Sequence, residues 1–196
     1  MRNRAAMPFS ALAAAGVALI LSVTTLAQDK PPKVVANMEK KPVYTIEGKE
    51  TPPIVSISNA TAAQGKMSLR FEHTGKGPRR AGITFPVDGA AGYNTLAFDI
   101  YCEQDTQTSR LNVQMSQEKE GKGKMGVFNA MLPMRGYIDG WTTVRLSANA
   151  GLEFHGAGGA QPDWGKIRGV TFALHDGGGK TVIFLDNIRF EDLRGV

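Results

Sequence analysis

Thr95-Leu96-Ala97-Phe98-Asp99-Ile100-Tyr101-Cys102-Glu103 alternates without a break. Leu96, Phe98, Ile100 and Cys102 share one face, and Ala97, Asp99, Tyr101 and Glu103 share the other. Period-2 alternation over nine residues reads as a half-buried β-strand. Working outward, Arg110–Gln117 repeats the pattern, with Leu111, Val113 and Met115 opposite Asn112, Gln114 and Ser116. The same alternation recurs at Met67–Glu72, Ile83–Phe85, Phe128–Leu132, Val144–Leu146 and Val170–His175. Thr181–Glu191 begins apolar on both faces, as a central covered strand does. With Val43–Glu47 and Ile54–Ser58 the chain offers about ten strands. Helical periodicity is nearly absent, one short turn around Pro162–Lys166 excepted. Gly-rich links such as Asp176-Gly177-Gly178-Gly179-Lys180 supply the turns. Strands that each carry one apolar stripe must pair across a core. The expected fold class is all-β, a two-sheet antiparallel β-sandwich of about ten strands, of jelly-roll type.

The chain has 196 residues, of which 42% are hydrophobic and 21% charged, ordinary values for a globular protein. Residues 1–27 read as a signal peptide. Arg2 and Arg4 open it, Ala11–Leu21 is an apolar run, and Thr25-Leu26-Ala27 supplies small residues before a cleavage point. Removing that segment takes away two arginines and no acid, so the formal charge of +5 falls by two. Nucleic-acid binding wants a clustered basic stripe, which is missing. No later apolar stretch approaches the roughly 20 residues of a membrane span. The reading is export, secreted or periplasmic. Residues 28–42, rich in proline and lysine, read as a flexible tether, and residues 43–196 as the sandwich. One cysteine forms no intrachain disulfide; Cys102 lies in the apolar phase of its strand and reads as a small buried hydrophobe.

Function must come from the polar faces. Asp99 and Tyr101 on one strand and Asn112 and Gln114 on the next, joined by Arg145 and His175, would make a ligand platform if all six project from one sheet. Carboxylate, amide, guanidinium and one ring suit sugar hydroxyls beside an apolar ring face. The competing reading is a solvated sheet face. Trp141 and Trp164 read as rim-packing residues. His73, His155 and His175 have no zinc-ligand spacing, and no Gly-x-Ser-x-Gly elbow occurs. Acids alternating along one strand read as solvated rather than as a glycosidase pair, so the chain reads as no enzyme. Asp186 shares the phase of Val182, Phe184, Ile188 and Phe190, an apolar stripe. A buried carboxylate costs several kcal/mol uncompensated, so a cation, an arginine or a bulge that turns it outward must offset it.

Three segments then follow in order: Gly140-Trp141-Thr142-Thr143-Val144, Asp163-Trp164-Gly165-Lys166-Ile167-Arg168-Gly169-Val170 and Leu185-Asp186-Asn187-Ile188-Arg189-Phe190. Their succession resembles the closing half of jelly-roll carbohydrate-binding modules and the wider galactose-binding-like superfamily. Ile46-Glu47-Gly48 and Gly65-Lys66-Met67-Ser68-Leu69 resemble earlier strands of the same fold, so the resemblance runs from about Val43 to Asp192. It implies a structural Ca²⁺ held by Asp186, with Glu47 adding a carboxylate and Lys66 a backbone carbonyl. Oxygen ligands alone suit that ion. It also implies a non-catalytic module that binds a carbohydrate ligand on the polar face of one sheet. The alternative is a structural or assembly accessory domain that binds a protein partner.

Overall fold

The computed structural model describes residues 30–47, 53–74, 80–104, 109–119, 123, 125–175 and 179–194. The expected signal peptide 1–27 and the Asp176–Gly178 part of the expected Gly-rich turn lie outside them. Among the described residues twelve strands appear, two more than the alternation suggests: β1 Lys33–Ala36, β2 Thr45–Glu47, β3 Ile54–Ser58, β4 Ser68–His73, β5 Arg80–Pro86, β6 Thr95–Gln104, β7 Arg110–Gln117, β8 Met125–Pro133, β9 Thr142–Ser147, β10 Glu153–Ala157, β11 Ile167–His175 and β12 Thr181–Glu191. Two single-turn 3₁₀ helices, Met134–Tyr137 and Trp164–Lys166, interrupt them.

All pairings between these strands are antiparallel. The first sheet runs β3-β4-β12-β6-β9, with β1 also on β12; the second runs β10-β8-β7-β11-β5-β2. The chain crosses repeatedly between sheets, and the inner stripes meet as the alternation requires. Leu96, Phe98, Ile100 and Cys102 of β6 face Leu111, Val113 and Met115 of β7 and Val170, Phe172 and Leu174 of β11 in one core. Phe98 and Phe172 lock the two sheets edge-to-face, their ring centroids 5.0 Å apart, a favoured aromatic geometry. Trp164 packs on Phe128 and Phe190 at one end, in keeping with a rim role. Among the described residues no helix is long and apolar enough to cross a membrane.

Two features differ from the sequence reading. Residues 28–42 read as a tether, yet Lys33–Ala36 form β1 and Met38 is 1% exposed. The reason lies in β12. Its eleven residues outrun β4, which pairs only as far as Leu185, and β1 takes the open ladder at Ile188–Phe190. Lys33 Nζ donates to the carbonyls of Asp88 and Gly89, and Tyr93 Oη donates to the Pro31 carbonyl, docking the segment further.

The second difference is a bulge. The β6–β12 register shifts between Asp186 and Arg189, and Asn187 adopts φ 49°. An inserted residue reverses which face the following side chains occupy. Ile183 and Leu185 therefore enter the core before the bulge, and Ile188 and Phe190 after it. Asp186 shares the outer phase of Phe184 and is not in the core stripe.

Candidate functional site

The six residues of the expected platform divide between the sheets, so that single site does not exist. Asp99 and Tyr101 stand on β6 and Arg145 on β9, all in the first sheet; Asn112 and Gln114 on β7 and His175 on β11 belong to the second. Both groups occupy outer faces, which point in opposite directions. The physical reason is that β6 and β7, adjacent in sequence, are not hydrogen-bonded neighbours. The connection between them crosses from one sheet to the other.

On the first sheet, Asp99 and Arg145 are committed to a charge network. Asp99 Oδ1 accepts from Thr143 Oγ1 at 2.6 Å and Oδ2 from Asn187 Nδ2 at 3.2 Å. Arg145 Nε and Arg189 Nε donate to the two oxygens of Glu191, each at 2.8 Å. Glu191 is buried, so both of its oxygens are satisfied by guanidinium groups, as a buried carboxylate requires.

The second sheet is arranged differently. Strand pairing lines up rows on its outer face: Arg80, His175 and Arg110; then Gly82, Ala173, Asn112 and Met131; then Thr84, Thr171, Gln114 and Asn129. Glycine, alanine and threonine on β5 and β11 leave low ground beside the taller amides of β7 and β8. The result is a depression of about 450 Å³ lined by Arg80, Asn112, Gln114, Asn129, His155 and His175, with Val127 and Met131 as its apolar part. It gathers three of the six expected residues.

Its polar groups form a chain. Arg80 Nη2 donates to Gln114 Oε1 at 3.0 Å, while Asn112 Nδ2 and Gln114 Nε2 donate to Asn129 Oδ1 at 2.6 and 3.4 Å. Arg80 is held in place by Glu47 Oε2 at 3.1 Å. Asn112 is 4% exposed, and its Oδ1 is, among the described residues, a buried acceptor with no donor. Such an atom costs about 1–3 kcal/mol. Burial, then the charges of Arg80 and Arg110, lower the pKa of His175. Its ring is therefore neutral at pH 7, with one nitrogen donating and one accepting. Sequence reading missed Arg80, Asn129 and His155. Asn129 was within reach, because alternation in β8 places Val127, Asn129 and Met131 together; Arg80 and β10 carry no such signal.

The expected calcium ligands do not converge. Glu47 lies on β2 of the second sheet, bound to Arg80 and accepting from Thr84 Oγ1. The Lys66 backbone N–H donates to Glu39 Oε1 at 2.8 Å, and the Met67 N–H joins it at 3.0 Å. Asp186 Oδ2 accepts from the N–H groups of Ala63 and Gln64 at 3.2 and 3.0 Å, and Oδ1 from Asn187 N–H at 2.7 Å. A cation needs oxygens turned toward it, and these carboxylates meet hydrogens instead. The residues do not fit Ca²⁺. Of the three ways to offset Asp186, the bulge operates, with the carboxylate capping a neighbouring loop. Burial raises its pKa, the three N–H groups lower it, and nearby Asp99 raises it again, for a net increase.

No protein-family model matches the chain, and no curated protein matches it. Solved structures do. A family 11 carbohydrate-binding module from Clostridium thermocellum, in complex with a β-1,3-1,4-mixed-linked tetrasaccharide, superposes with a TM-score of 0.61 at 13% identity, covering 82% of this chain and 95% of that one. A family 30 carbohydrate-binding module gives 0.63 at 11% identity, covering 82% and 98%. An exo-β-agarase gives 0.57 at 12% identity, covering 82% of this chain and 25% of the enzyme. At these identities the likeness establishes the fold: this sandwich is the one that carbohydrate-binding modules adopt.

Proposed function

We propose that the protein is a non-catalytic glycan-binding module acting outside the cytoplasm, and that it holds its ligand in the depression on the outer face of the second sheet. The observation that carries this reading is the linked set Arg80, Gln114, Asn129 and Asn112 in the wall of the depression. Vicinal sugar hydroxyls need paired donors and acceptors. Here the Arg80 guanidinium, amide groups already aligned by their neighbours and a neutral His175 stand together in the wall of the depression. Prearranged side chains lose little freedom on binding. The fold supports the reading, since the family 11 module of this architecture is described in complex with a tetrasaccharide. Among the described residues no aromatic carbocycle lines the depression, so hydrogen bonds rather than ring stacking supply the affinity.

The full protein should be screened on a glycan array and by affinity electrophoresis, with the β-1,3-1,4-linked tetrasaccharide among the probes. Binding should weaken roughly tenfold or more in a Gln114→Ala, Asn129→Ala double variant, the loss of about 1.4 kcal/mol or more. It should persist in Tyr101→Ala, on the opposite sheet. Absence of binding to any glycan, or binding that Tyr101→Ala abolishes while the double variant retains it, overturns the proposal.

A further inference from the structure

A second concavity lies on the opposite side of the sandwich, at the end of the first sheet where the 59–61 segment and the loop before β9 meet β6. Its volume is about 460 Å³, and its walls are Tyr101, Trp141, Glu103, Asp139, Thr61 and Ile138. Two partly exposed rings form one side. Tyr101 is stacked on Phe184, with centroids 5.9 Å apart and planes 16° from parallel, and that support fixes its orientation. Trp141 stands 6.1 Å from Tyr101, tilted by 46°. The Trp141 Nε1–H is spent on Thr61 Oγ1 at 2.8 Å, so what the indole offers a ligand is its face. Among the described residues, the two ionisable wall residues besides tyrosine are both acids, Glu103 and Asp139, and both are exposed. No lysine, arginine or histidine among the described residues lines the pocket. Arg70 lies across Phe184 on the next strand, and it is paired with Glu72.

Electron-rich ring faces and uncompensated carboxylates attract the same kind of ligand. Aromatic faces bind a cation lying within about 6 Å of the ring centroid, and two nearby acids add a long-range field of the same sign. A neutral hydroxyl ligand could donate to the carboxylates, but it would leave their charge unbalanced. We propose that this pocket binds an organic ammonium ion, the charged head of an amino sugar or of an alkylated amine. Tyr101 and Trp141 contact the cation face-on, and Glu103 and Asp139 neutralise it from the open side. The site lies on the other sheet from the amide depression, and it does not depend on the glycan reading.

The chain has two tryptophans, so the ¹⁵N-labelled protein gives two indole signals, and the one missing in Trp141→Phe identifies the reporter. The full protein is titrated with tetramethylammonium chloride, glucosamine hydrochloride, glucose and sodium chloride at matched ionic strength. The Trp141 signal should move saturably with tetramethylammonium, glucosamine or both, and should stay still with glucose and sodium. Response to one ammonium compound alone identifies the head group preferred. A Glu103→Gln, Asp139→Asn double variant, altered only at exposed positions, should bind roughly tenfold or more weakly with its melting temperature and Trp164 signal unchanged. Three results overturn the proposal: an equal saturable shift with glucose, a double variant that binds as tightly as the wild type, or no saturable shift with either cation.

Discussion

Replacing Asp186 with alanine removes the acceptor of three backbone N–H groups at once. The Asn187 N–H sits in the buried bulge, where losing its partner costs about 1–3 kcal/mol. Ala63 is half-buried and Gln64 exposed, so their N–H groups regain water and cost about 0.5–1 kcal/mol each. Against these stands relief, because the variant no longer buries a carboxylate close to Asp99. The raised pKa of Asp186 gives the sign of that term. The net loss is about 2–3 kcal/mol, which lowers the melting temperature of a domain this size by roughly 5–10 °C. Urea and thermal unfolding followed by circular dichroism, with and without EDTA, measure it. Chelator should leave the wild-type curve unmoved, because N–H groups rather than a metal hold the carboxylate. A raised native pKa means that the folded state takes up its proton first. The wild type should therefore gain on the alanine variant as pH falls from neutrality toward the ordinary carboxylate value. A variant as stable as the wild type, or a wild-type melting temperature that drops with chelator, refutes this account of the site.

Two further perturbations test the fold around the sites. The pKa of His175 is lowered by burial and by Arg80 and Arg110. Below about pH 6.5 the unfolded chain therefore binds a proton that the native one resists, and stability should fall with pH through that range. Paired urea titrations should show a shallower fall in His175→Gln; equal slopes would remove His175 as the cause. Gly89 has φ +64°, and a Cβ there would lie 2.6 Å from the Gly165 carbonyl oxygen. Gly89→Ala combines a left-handed backbone with a backbone clash and should cost about 2–4 kcal/mol, read as a lower urea midpoint at unchanged slope.

Alternation along the chain determined a good deal without help. Leu96, Phe98, Ile100 and Cys102 face the core because successive residues of a strand point to opposite sides, a property of the backbone itself. The same local rule placed Asn112 and Gln114 on a common outer face and brought two opposed sheets out of separate apolar stripes. What it cannot carry is the identity of a strand's neighbour. β6 and β7 are consecutive, yet β6 pairs with β12 and β9 while β7 pairs with β8 and β11, and this divided Asp99, Tyr101 and Arg145 from Asn112, Gln114 and His175. Glu47 and Asp186 were parted in the same way. Alternation also fails wherever a strand gains a residue: the bulge at Asn187 moved Asp186 out of the core stripe, and loop N–H groups took the place of a cation. The ladder left open at Ile188–Phe190 drew in Lys33–Ala36, whose composition alone argues for a tether. Pairing, bulges and added edge strands are settled by hydrogen bonds and burial between segments far apart in sequence, so only the tertiary structure decides them.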